Sequence, residues 1–354
     1  MKILYFIITV MYLQIIPVNK GNAQNHHLFQ FSSLPLSVNP AFSGSIKNEF
    51  RLIVNSSSQW TTLSSPFVTT YVSSDMPLET EKLKPGWLGA GFSMLNHKAG
   101  SGYLDLYKVM LSGSYFKPLN QWFKQLNQWH NVSFGFQGGM LHYTKDYRKL
   151  SFEEQFPDNE FNPDDSITNV TKLDLQAGLL YSYTPHEWFK LYTGIALSHF
   201  LSPNEKLIEY HLGKAGNENR SGIKPVIHSN AIIYLGSRIE LSPSILYMYH
   251  KQANLSRQRR DEITLGTSAG FHFEKYYNWS ATYYLGTWYG FKDEVVFMVG
   301  LRYHKWMFEI STDVKISLLE QARFDAEHPE FTLTYLFHIL SEKETQRLPW
   351  LMLD

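Results

Sequence analysis

The sequence contains no cysteine among its 354 residues. An exported chain of this composition has no disulfides, so its stability has to come from backbone pairing and side-chain packing. An excess of charge of one sign is also lacking, because 32 basic residues balance 32 acidic ones. Nucleic-acid binding normally requires a concentrated basic face, and this balance argues against nucleic acid as a partner.

Long apolar runs are missing after residue 24, where none approaches the roughly 18 to 20 residues that a spanning helix requires. The longest candidates, such as residues 295–301, have the length of a strand. Membrane helices are therefore excluded in this part of the sequence. A membrane-spanning role is left only to a closed barrel, in which every backbone polar group is paired within the lipid.

Residues 1–23 are predicted to be a signal peptide. Lys2 provides a short positive region, residues 3–18 are mostly apolar, and residues 21–23 offer a small-residue cleavage site. A membrane anchor is the rival interpretation. It is disfavoured because the apolar stretch is short and Pro17 interrupts it.

Aromatic side chains and period-two alternation are what the sequence has in abundance. Aromatic residues make up 16% of the chain and charged residues only 18%, which favours many strands joined by turns. Residues 173–183 alternate between an apolar and a polar face with one exception, Leu180. Residues 263–273 and 331–339 repeat the pattern, over the ~9 to 11 residues that a tilted strand needs to cross a bilayer.

The sequence as a whole predicts an all-β fold, a closed antiparallel transmembrane β-barrel of about fourteen strands within residues 50–340. The predicted strands cover residues 50–60, 66–76, 87–97, 102–117, 129–144, 170–184, 187–199, 223–236, 238–250, 262–275, 277–289, 294–304, 306–317 and 330–340. A barrel of this size encloses more space than its side chains fill. Residues 24–49 are therefore expected either to plug the lumen or to form a periplasmic leader, and residues 341–354 form a C-terminal tail.

Several tryptophans lie where predicted strands begin on the periplasmic side. An interfacial aromatic belt is expected at that level, because an amphipathic ring is most stable among lipid headgroups. The predicted belt consists of Trp87, Trp129, Trp188, Trp279 and Trp306. The alternative is that aromatic residues simply favour strand ends in a water-soluble sandwich.

Catalytic and metal-binding signatures are not found in the sequence. His142, His199 and His250 lie near predicted outer strand ends, where a barrel-embedded lipase could place its base, but no nucleophile elbow accompanies them. No pair of histidines has zinc-binding spacing with further ligands nearby. We therefore expect a protein that is not an enzyme and that uses no cofactor or metal.

The segment that follows the predicted cleavage site carries a distinctive pattern of Pro, Asn, Gly and aromatic residues. It resembles the mature N-terminus of the PorP/SprF family, outer-membrane proteins of the type IX secretion and gliding apparatus. Residues 51–76 and 288–337 are similar to later blocks of the family, whereas Ser33 replaces a frequent Gln. The signature residues are Phe31, Ser32, Pro35, Leu36, Asn39, Pro40, Ala41, Gly44 and Ser45.

The resemblance implies a non-enzymatic component of the bacterial outer membrane that helps export or surface-anchor one cognate secreted protein. The implied partners are outer-membrane lipids, the type IX secretion machinery and that secreted surface protein. The external loops would face the secreted protein, and residues 24–49 with the periplasmic connectors would face the machinery. Two other interpretations stay open: a plugged outer-membrane transport channel for apolar or oligomeric nutrients, and a soluble secreted sandwich that binds carbohydrate.

Overall fold

The computed structural model describes most of the chain between residues 31 and 338. The described ranges are 31–46, 49–59, 66–78, 81–99, 104–119, 129–146, 167–200, 223–250, 260–273, 281–291, 294–315 and 328–338. The predicted signal peptide, residues 1–23, and the predicted tail, residues 341–354, lie outside these ranges.

The described strands form one closed antiparallel barrel, in which each strand pairs with its neighbours in the chain and the last strand pairs with the first. The predicted fold class is thus confirmed. The strands are β1 Glu49–Gln59, β2 Phe67–Leu78, β3 Trp87–Ala99, β4 Leu104–Pro118, β5 Trp129–Asp146, β6 Ile167–His186, β7 Phe189–Ser198, β8 Lys224–Tyr234, β9 Ile239–His250, β10 Arg260–Phe273, β11 Ala281–Gly290, β12 Glu294–Tyr303, β13 Trp306–Lys315 and β14 Glu330–His338.

The seam between β1 and β14 closes the barrel through nine register pairs, from Glu49 opposite His338 to Ser57 opposite Glu330. On the other side of β1, Arg51 lies opposite Asp75 of β2. Because every strand has two neighbours, no row of backbone N–H and C=O groups is left unpaired along an edge.

Side chains alternate between an apolar outer face and a mixed inner face, as period-two strands require. Leu111 and Leu173 are examples of the outer face, with 67% and 60% of their surface exposed. Polar side chains such as Asn55, Asp75 and Ser133 are buried on the inner face. An apolar exterior of this extent is stable only where the solvent is itself apolar, as in the core of a bilayer.

In the part of the chain that the structure describes, helical structure is confined to short turns. The helix α1, Pro35–Val38, begins at a proline, which has the fixed backbone angle that a first helical turn needs. A 3₁₀ turn follows at Pro40–Phe42, and the Asn39 side chain caps it by accepting a hydrogen bond from the backbone N–H of Ala41. A second 3₁₀ turn, Glu81–Leu83, precedes β3. Within the described residues, no helix has the length and apolar character needed to cross a membrane.

Candidate functional site

The barrel encloses part of its own chain, residues 31–46, which we call the inner segment. Its turns satisfy several of its own backbone groups, as in the bonds from Asn39 N to Pro35 O (2.9 Å) and from Ser43 N to Pro40 O (3.1 Å). Most of its side chains, including those of Leu34 and Ala41, are fully buried. Several other polar groups of the inner segment bond to the barrel wall.

Asn39 fixes the middle of the inner segment to three neighbouring strands. Its side-chain nitrogen donates to the backbone oxygens of Leu179 (3.0 Å) and Ile195 (3.4 Å), and it lies 3.0 Å from Nε2 of His228. Its side-chain oxygen accepts from the backbone N–H of Ala41 at 2.9 Å. One buried amide therefore joins the turn at Pro40–Phe42 to β6, β7 and β8.

Serine hydroxyls on β4 and β5 hold the next part of the inner segment. Ser133 donates to the backbone oxygen of Ala41 at 2.7 Å, and Ser114 donates to that of Ser43 at 2.5 Å. The Ser43 hydroxyl also lies 2.8 Å from that of Ser112. Ser133 and Ser114 thus pair backbone oxygens inside the barrel, where a buried polar group without a partner costs about 1 to 3 kcal/mol.

Glycines in the wall allow the inner segment to lie directly against the strands. A Cβ atom at Gly89 would collide with the backbone oxygen of Ser43, and one at Gly135 with the backbone of Ala41. A Cβ atom at Gly178 would collide with the Asn39 side chain. Three strands therefore have glycine at the points where another main chain or an amide comes closest.

A buried ion pair holds the end of the inner segment nearest to β1. Arg51 donates to both carboxylate oxygens of Asp75, from Nε at 2.8 Å and from a terminal guanidinium nitrogen at 2.9 Å. Asp75 also accepts from the backbone N–H of Gly44 at 2.8 Å. Trp87 donates from its ring nitrogen to the Gly44 oxygen at 3.1 Å. Gly44 itself has a φ of +66°, which glycine adopts without strain.

Apolar contacts hold the opposite end of the inner segment. Phe31 belongs to a buried cluster with Val226, Leu246, Trp288 and Met298 on β8, β9, β11 and β12. A second buried cluster joins Leu36, Ala41 and Phe42 to wall residues that include Phe116 and Leu180. Leu180, the exception to the alternation of β6, is therefore an inward side chain that packs against the inner segment.

A cavity of about 180 Å³ lies between the inner segment and the wall. Phe31, Leu36 and Val38 contribute to it from the inner segment, and Gln137 and Met248 are among its wall residues. Its lining is mostly apolar, with a few polar side chains.

Two of the histidines considered for a hydrolytic site have partners in the described part of the barrel. His199 Nδ1 lies 3.0 Å from Asp174, which also lies 3.3 Å from Lys108. His142 Nδ1 lies 2.8 Å from the Thr171 hydroxyl. The side chain of His250 lies outside the described residues. Among the described side chains, no group of three or more His, Asp or Glu residues is arranged to hold a metal ion.

The signature residues of the inner segment contact the barrel itself. Pro35, Asn39, Ala41 and Ser45 are buried, and only Ser32 is partly exposed among the nine. Most side chains of residues 31–46 are buried and Ser37 is exposed, and the expectation that this segment faces the secretion machinery stays a prediction. Residues 24–30 and 47–48 of the predicted segment lie outside the described ranges.

The predicted aromatic belt is wrong at Trp87, whose side chain is only 4% exposed, points into the barrel and stacks on Phe116 at 4.8 Å between ring centroids. Trp188 and Trp306 are 55% and 40% exposed, at the end of the barrel where β7 and β13 begin. Their place in a lipid belt stays a prediction. Trp279 and the side chain of Trp129 lie outside the described residues.

The sequence reasoning missed the wall residues that bind the inner segment. No role was predicted for Gly89 or for the serines of β4 and β5. The alternation along β3 could have indicated such a role. Its inner face carries Trp87, Gly89, Gly91 and Ser93, whereas Leu88 and Phe92 lie on the outer face. Glycine inside a strand indicates a close approach of another backbone or a ligand.

A closed antiparallel barrel with an apolar exterior and a polar, partly filled interior defines the class of outer-membrane β-barrel proteins. The family model described as "Type IX secretion system membrane protein PorP/SprF" matches residues 20–335. The chain therefore belongs to the PorP/SprF family. It is an outer-membrane component of the type IX secretion system and associates with that machinery.

Several solved barrels are similar to this chain at low identity. A FadL homologue from Pseudomonas aeruginosa is 10% identical, with a TM-score of 0.45 over 85% of this chain and 93% of that one. The toluene transporter TbuX from Ralstonia pickettii is 9% identical, with a TM-score of 0.43 over 86% and 92% of the two chains. BamA from Haemophilus ducreyi lacking POTRA domains 1–3 is 10% identical, with a TM-score of 0.38 over 82% and 71%. No curated protein matches this chain.

Proposed function

We propose that this protein is a non-enzymatic partner in type IX export that helps to export, or retains at the cell surface, one cognate secreted protein. Membership of the PorP/SprF family supports the pathway. The long connectors at the end of the barrel opposite the start of β1 would receive the secreted protein, because external loops are the longer set in outer-membrane barrels. Outer-membrane lipids would contact the apolar exterior.

The inner segment is the single observation that supports this proposal over an open transport pore. It is bonded to the wall at Asn39, Ala41, Ser43 and Gly44, and buried glycines face it. A lumen occupied by a segment held in this way is suited to a scaffold and not to an open pore. We infer that residues 31–46 close the barrel and keep its shape constant while the loops bind the secreted protein.

The test begins with deletion of the gene in the native host. We expect one surface protein to disappear from the cell surface while the other type IX substrates remain.

Complementation with a chain in which residues 201–222, between β7 and β8, are replaced by a Gly-Ser linker of equal length would separate loop binding from folding. That chain should reach the outer membrane as a heat-modifiable barrel and fail to restore the surface protein. The same replacement at residues 60–65, between β1 and β2 at the same end of the barrel, is the matched control. An unchanged set of surface proteins after deletion would contradict the proposal.

A plugged transport channel for apolar or oligomeric nutrients is the second candidate. The cavity of about 180 Å³ beside Phe31, with its mostly apolar lining, is the observation that favours it. Conductance in planar bilayers separates the two candidates. Large steady channels from the purified protein, with a growth defect on one nutrient after deletion, would favour transport. A non-conducting protein with intact nutrient uptake would favour the export role.

A further inference from the structure

We propose that, after cleavage of the predicted signal peptide, the amino-terminus of this chain lies at the outer mouth of the barrel, the end opposite the start of β1. Residues 24–30 would there form part of the surface that meets the secreted protein. The position of the amino-terminus is independent of the proposed function, whereas the contact with the secreted protein rests on it. For residues 24–30 it is the alternative to the prediction that they face the secretion machinery.

The two ends of the barrel differ in the length of their connectors. At the end where β1 starts, residues 187–188 and 304–305 are sufficient to join two pairs of strands. At the opposite end, residues 199–223 and 316–329 join two other pairs. Short turns are periplasmic and long loops are external in outer-membrane barrels. The outer mouth therefore faces the cell exterior.

The carboxyl-terminal end of the inner segment is held near the periplasmic side. The oxygen of Gly44 accepts from Trp87, which is the first residue of β3 and therefore lies at that side. The N–H of Gly44 donates to Asp75, which is three residues before Leu78, the last residue of β2. The inner segment consequently enters the lumen from the periplasmic side, just before β1 starts.

The amino-terminal end of the inner segment lies near the outer mouth. Phe31 belongs to a buried cluster in which four wall residues are each two residues from the outer end of their strand. Because two strand residues span about 7 Å, this cluster reaches almost to the outer mouth. The four residues are Ala196 before Ser198, Val226 after Lys224, Trp288 before Gly290 and Val296 after Glu294. The remaining wall members, Leu246, Tyr284 and Met298, lie deeper in the lumen.

The length of the chain before Phe31 favours an exit through the outer mouth. Residues 24–30 are seven residues, which span at most ~25 Å when fully extended. Tilted strands advance along the barrel axis by roughly three quarters of their length. Outward from Trp288, the two residues to Gly290 correspond to about 5 Å, so most of the seven residues would project beyond the mouth. Inward, the seven residues to Ala281 correspond to about 17 Å, so a chain that turned back would use most of its length inside the lumen.

The inner segment is open to solvent on the side of the outer mouth. The cavity of about 180 Å³ beside Phe31 is also lined by Ser37, which is exposed. Several of its wall residues lie in the outer halves of their strands, so the chain before Phe31 has room to leave in that direction. These residues are Tyr71 on β2, Leu95 on β3, Lys108 on β4, Val226 on β8 and Met248 on β9.

The composition of residues 24–30 suits contact with a protein. His26 and His27 precede the apolar pair Leu28 and Phe29. Protein interfaces typically have a few aromatic or apolar anchors surrounded by polar side chains. The external connectors surround the same mouth, so residues 24–30 and the connectors would contact one partner together. The chemistry of these residues therefore indicates an apolar patch on the secreted protein as the surface that they bind.

The position of the amino-terminus can be tested with single cysteines, because the chain has none of its own. Asn25→Cys is compared with Ser202→Cys, in the connector between β7 and β8 at the outer end, and with Ser237→Cys, in the turn between β8 and β9 at the periplasmic end. Intact cells of the native host are treated with a polyethylene-glycol maleimide that is too large to cross the outer membrane. We expect Asn25→Cys to react as fully as Ser202→Cys, and Ser237→Cys to react only after permeabilisation of the outer membrane.

Two results would overturn this position. Reaction of Asn25→Cys only after permeabilisation would show that the amino-terminus is periplasmic. Reaction only after the barrel is denatured would show that it stays inside the lumen. Heat-modifiable migration in gels verifies that each variant is a folded barrel before it is compared.

A pair of double variants tests the contact with the secreted protein. Leu28→Ser with Phe29→Ser removes the apolar pair, and the amount of the surface protein on the cells should fall by about tenfold as it is released to the medium. His26→Gln with His27→Gln is the matched control, which keeps the apolar pair and should retain the surface protein. Full retention by both would overturn the contact, even if Asn25→Cys is accessible. A failure of the proposed function is seen separately, as an unchanged set of surface proteins after deletion of the gene.

Discussion

The two ends of the inner segment are held by different kinds of contact. From Asn39 to Gly44 its main chain lies against glycines and accepts hydrogen bonds from serines of the wall. At Phe31 the contact is made by side chains of β7, β8, β9, β11 and β12. Hydrogen bonds and backbone contact demand one geometry, whereas apolar packing tolerates exchange of one side chain for another of similar volume. The contacts of Asn39 to Gly44 therefore specify where the segment lies, and the contacts at both ends stabilise it there.

The largest effect is expected at the ion pair, with Asp75→Ala. It leaves Arg51 as an uncompensated charge, 2% exposed, and removes the acceptor for the Gly44 N–H. The free energy of unfolding, measured by urea titration in lipid vesicles, should fall by about 3 to 5 kcal/mol. The double variant Arg51→Met with Asp75→Leu buries no charge and should recover most of this loss. A single variant that loses less than ~1 kcal/mol would show that the ion pair does not specify the fold.

A smaller loss is expected when a glycine of the wall gains a methyl group. In Gly135→Ala the new Cβ would collide with the backbone of Ala41, so unfolding free energy should fall by about 1 to 3 kcal/mol as the segment shifts. The chain has no cysteine, so Ser43→Cys introduces a single thiol. In the double variant with Gly135→Ala, this thiol should react with a maleimide faster than it does in the variant that carries Ser43→Cys alone.

Gly113→Ala is the matched control for that substitution. A Cβ at Gly113 would have its nearest neighbour, the Gly89 backbone oxygen, at 3.9 Å, which is an ordinary contact. Its effect on unfolding should stay within ~0.5 kcal/mol, and the Ser43→Cys thiol should remain protected. Equal effects of the two alanines would mean that the glycines serve strand geometry and not the inner segment.

At the apolar end, Phe31→Leu should cost less than about 1.5 kcal/mol, because the cluster with Trp288 and Met298 can repack around a similar volume. The maleimide reactivity of Ser43→Cys should not change in this background. A loss as large as that of Gly135→Ala would contradict the distinction between the two ends, because it would make the apolar contact equally specific.

The smallest effect concerns the tryptophans, and it is a difference in fluorescence quenching. Trp188 and Trp306 are exposed on the barrel, and Trp87 is enclosed. In variants that retain one tryptophan, lipids brominated near the headgroup should quench Trp188 and Trp306 more than lipids brominated near the chain ends. Trp87 should be quenched weakly by both. Strong quenching of Trp306 by the deep bromines would exclude it from an interfacial belt.

The barrel could be predicted from the sequence because a strand with one lipid face and one lumen face imposes a period of two. All fourteen predicted strands overlap strands of the structure, including those with irregular patterns such as β5 and β8. The closing pair, β1 with β14, followed from the even number of strands and from the need to leave no edge in lipid. Each of these predictions rests on a constraint that acts within one strand or on the sheet as a whole.

The interior was harder to predict, because the side chains that suit a lumen wall depend on what the lumen contains. Leu180 breaks the alternation of β6 and packs against the inner segment. Trp87 was assigned to the aromatic belt because it begins a predicted strand. It is two residues from Gly89, however, so both lie on the face of β3 that points into the barrel. The roles of Gly135 and Ser133 can be recognised only when the structure shows that both contact Ala41. Contacts between residues 92 positions apart, such as that of Ser133 with Ala41, leave no periodic signal in a single sequence.

The ion pair of Arg51 and Asp75 also bears on the order in which the molecule assembles. Its two members are 24 residues apart, and Gly44 is 31 residues from Asp75, whereas the seam contact of Asn55 with Glu330 spans 275. Short loops close with a lower entropic cost than long ones, so the first hairpin and the chain that precedes it can come together while the later strands are still unpaired. The remaining strands would then add around a nucleus that already contains the future occupant of the lumen.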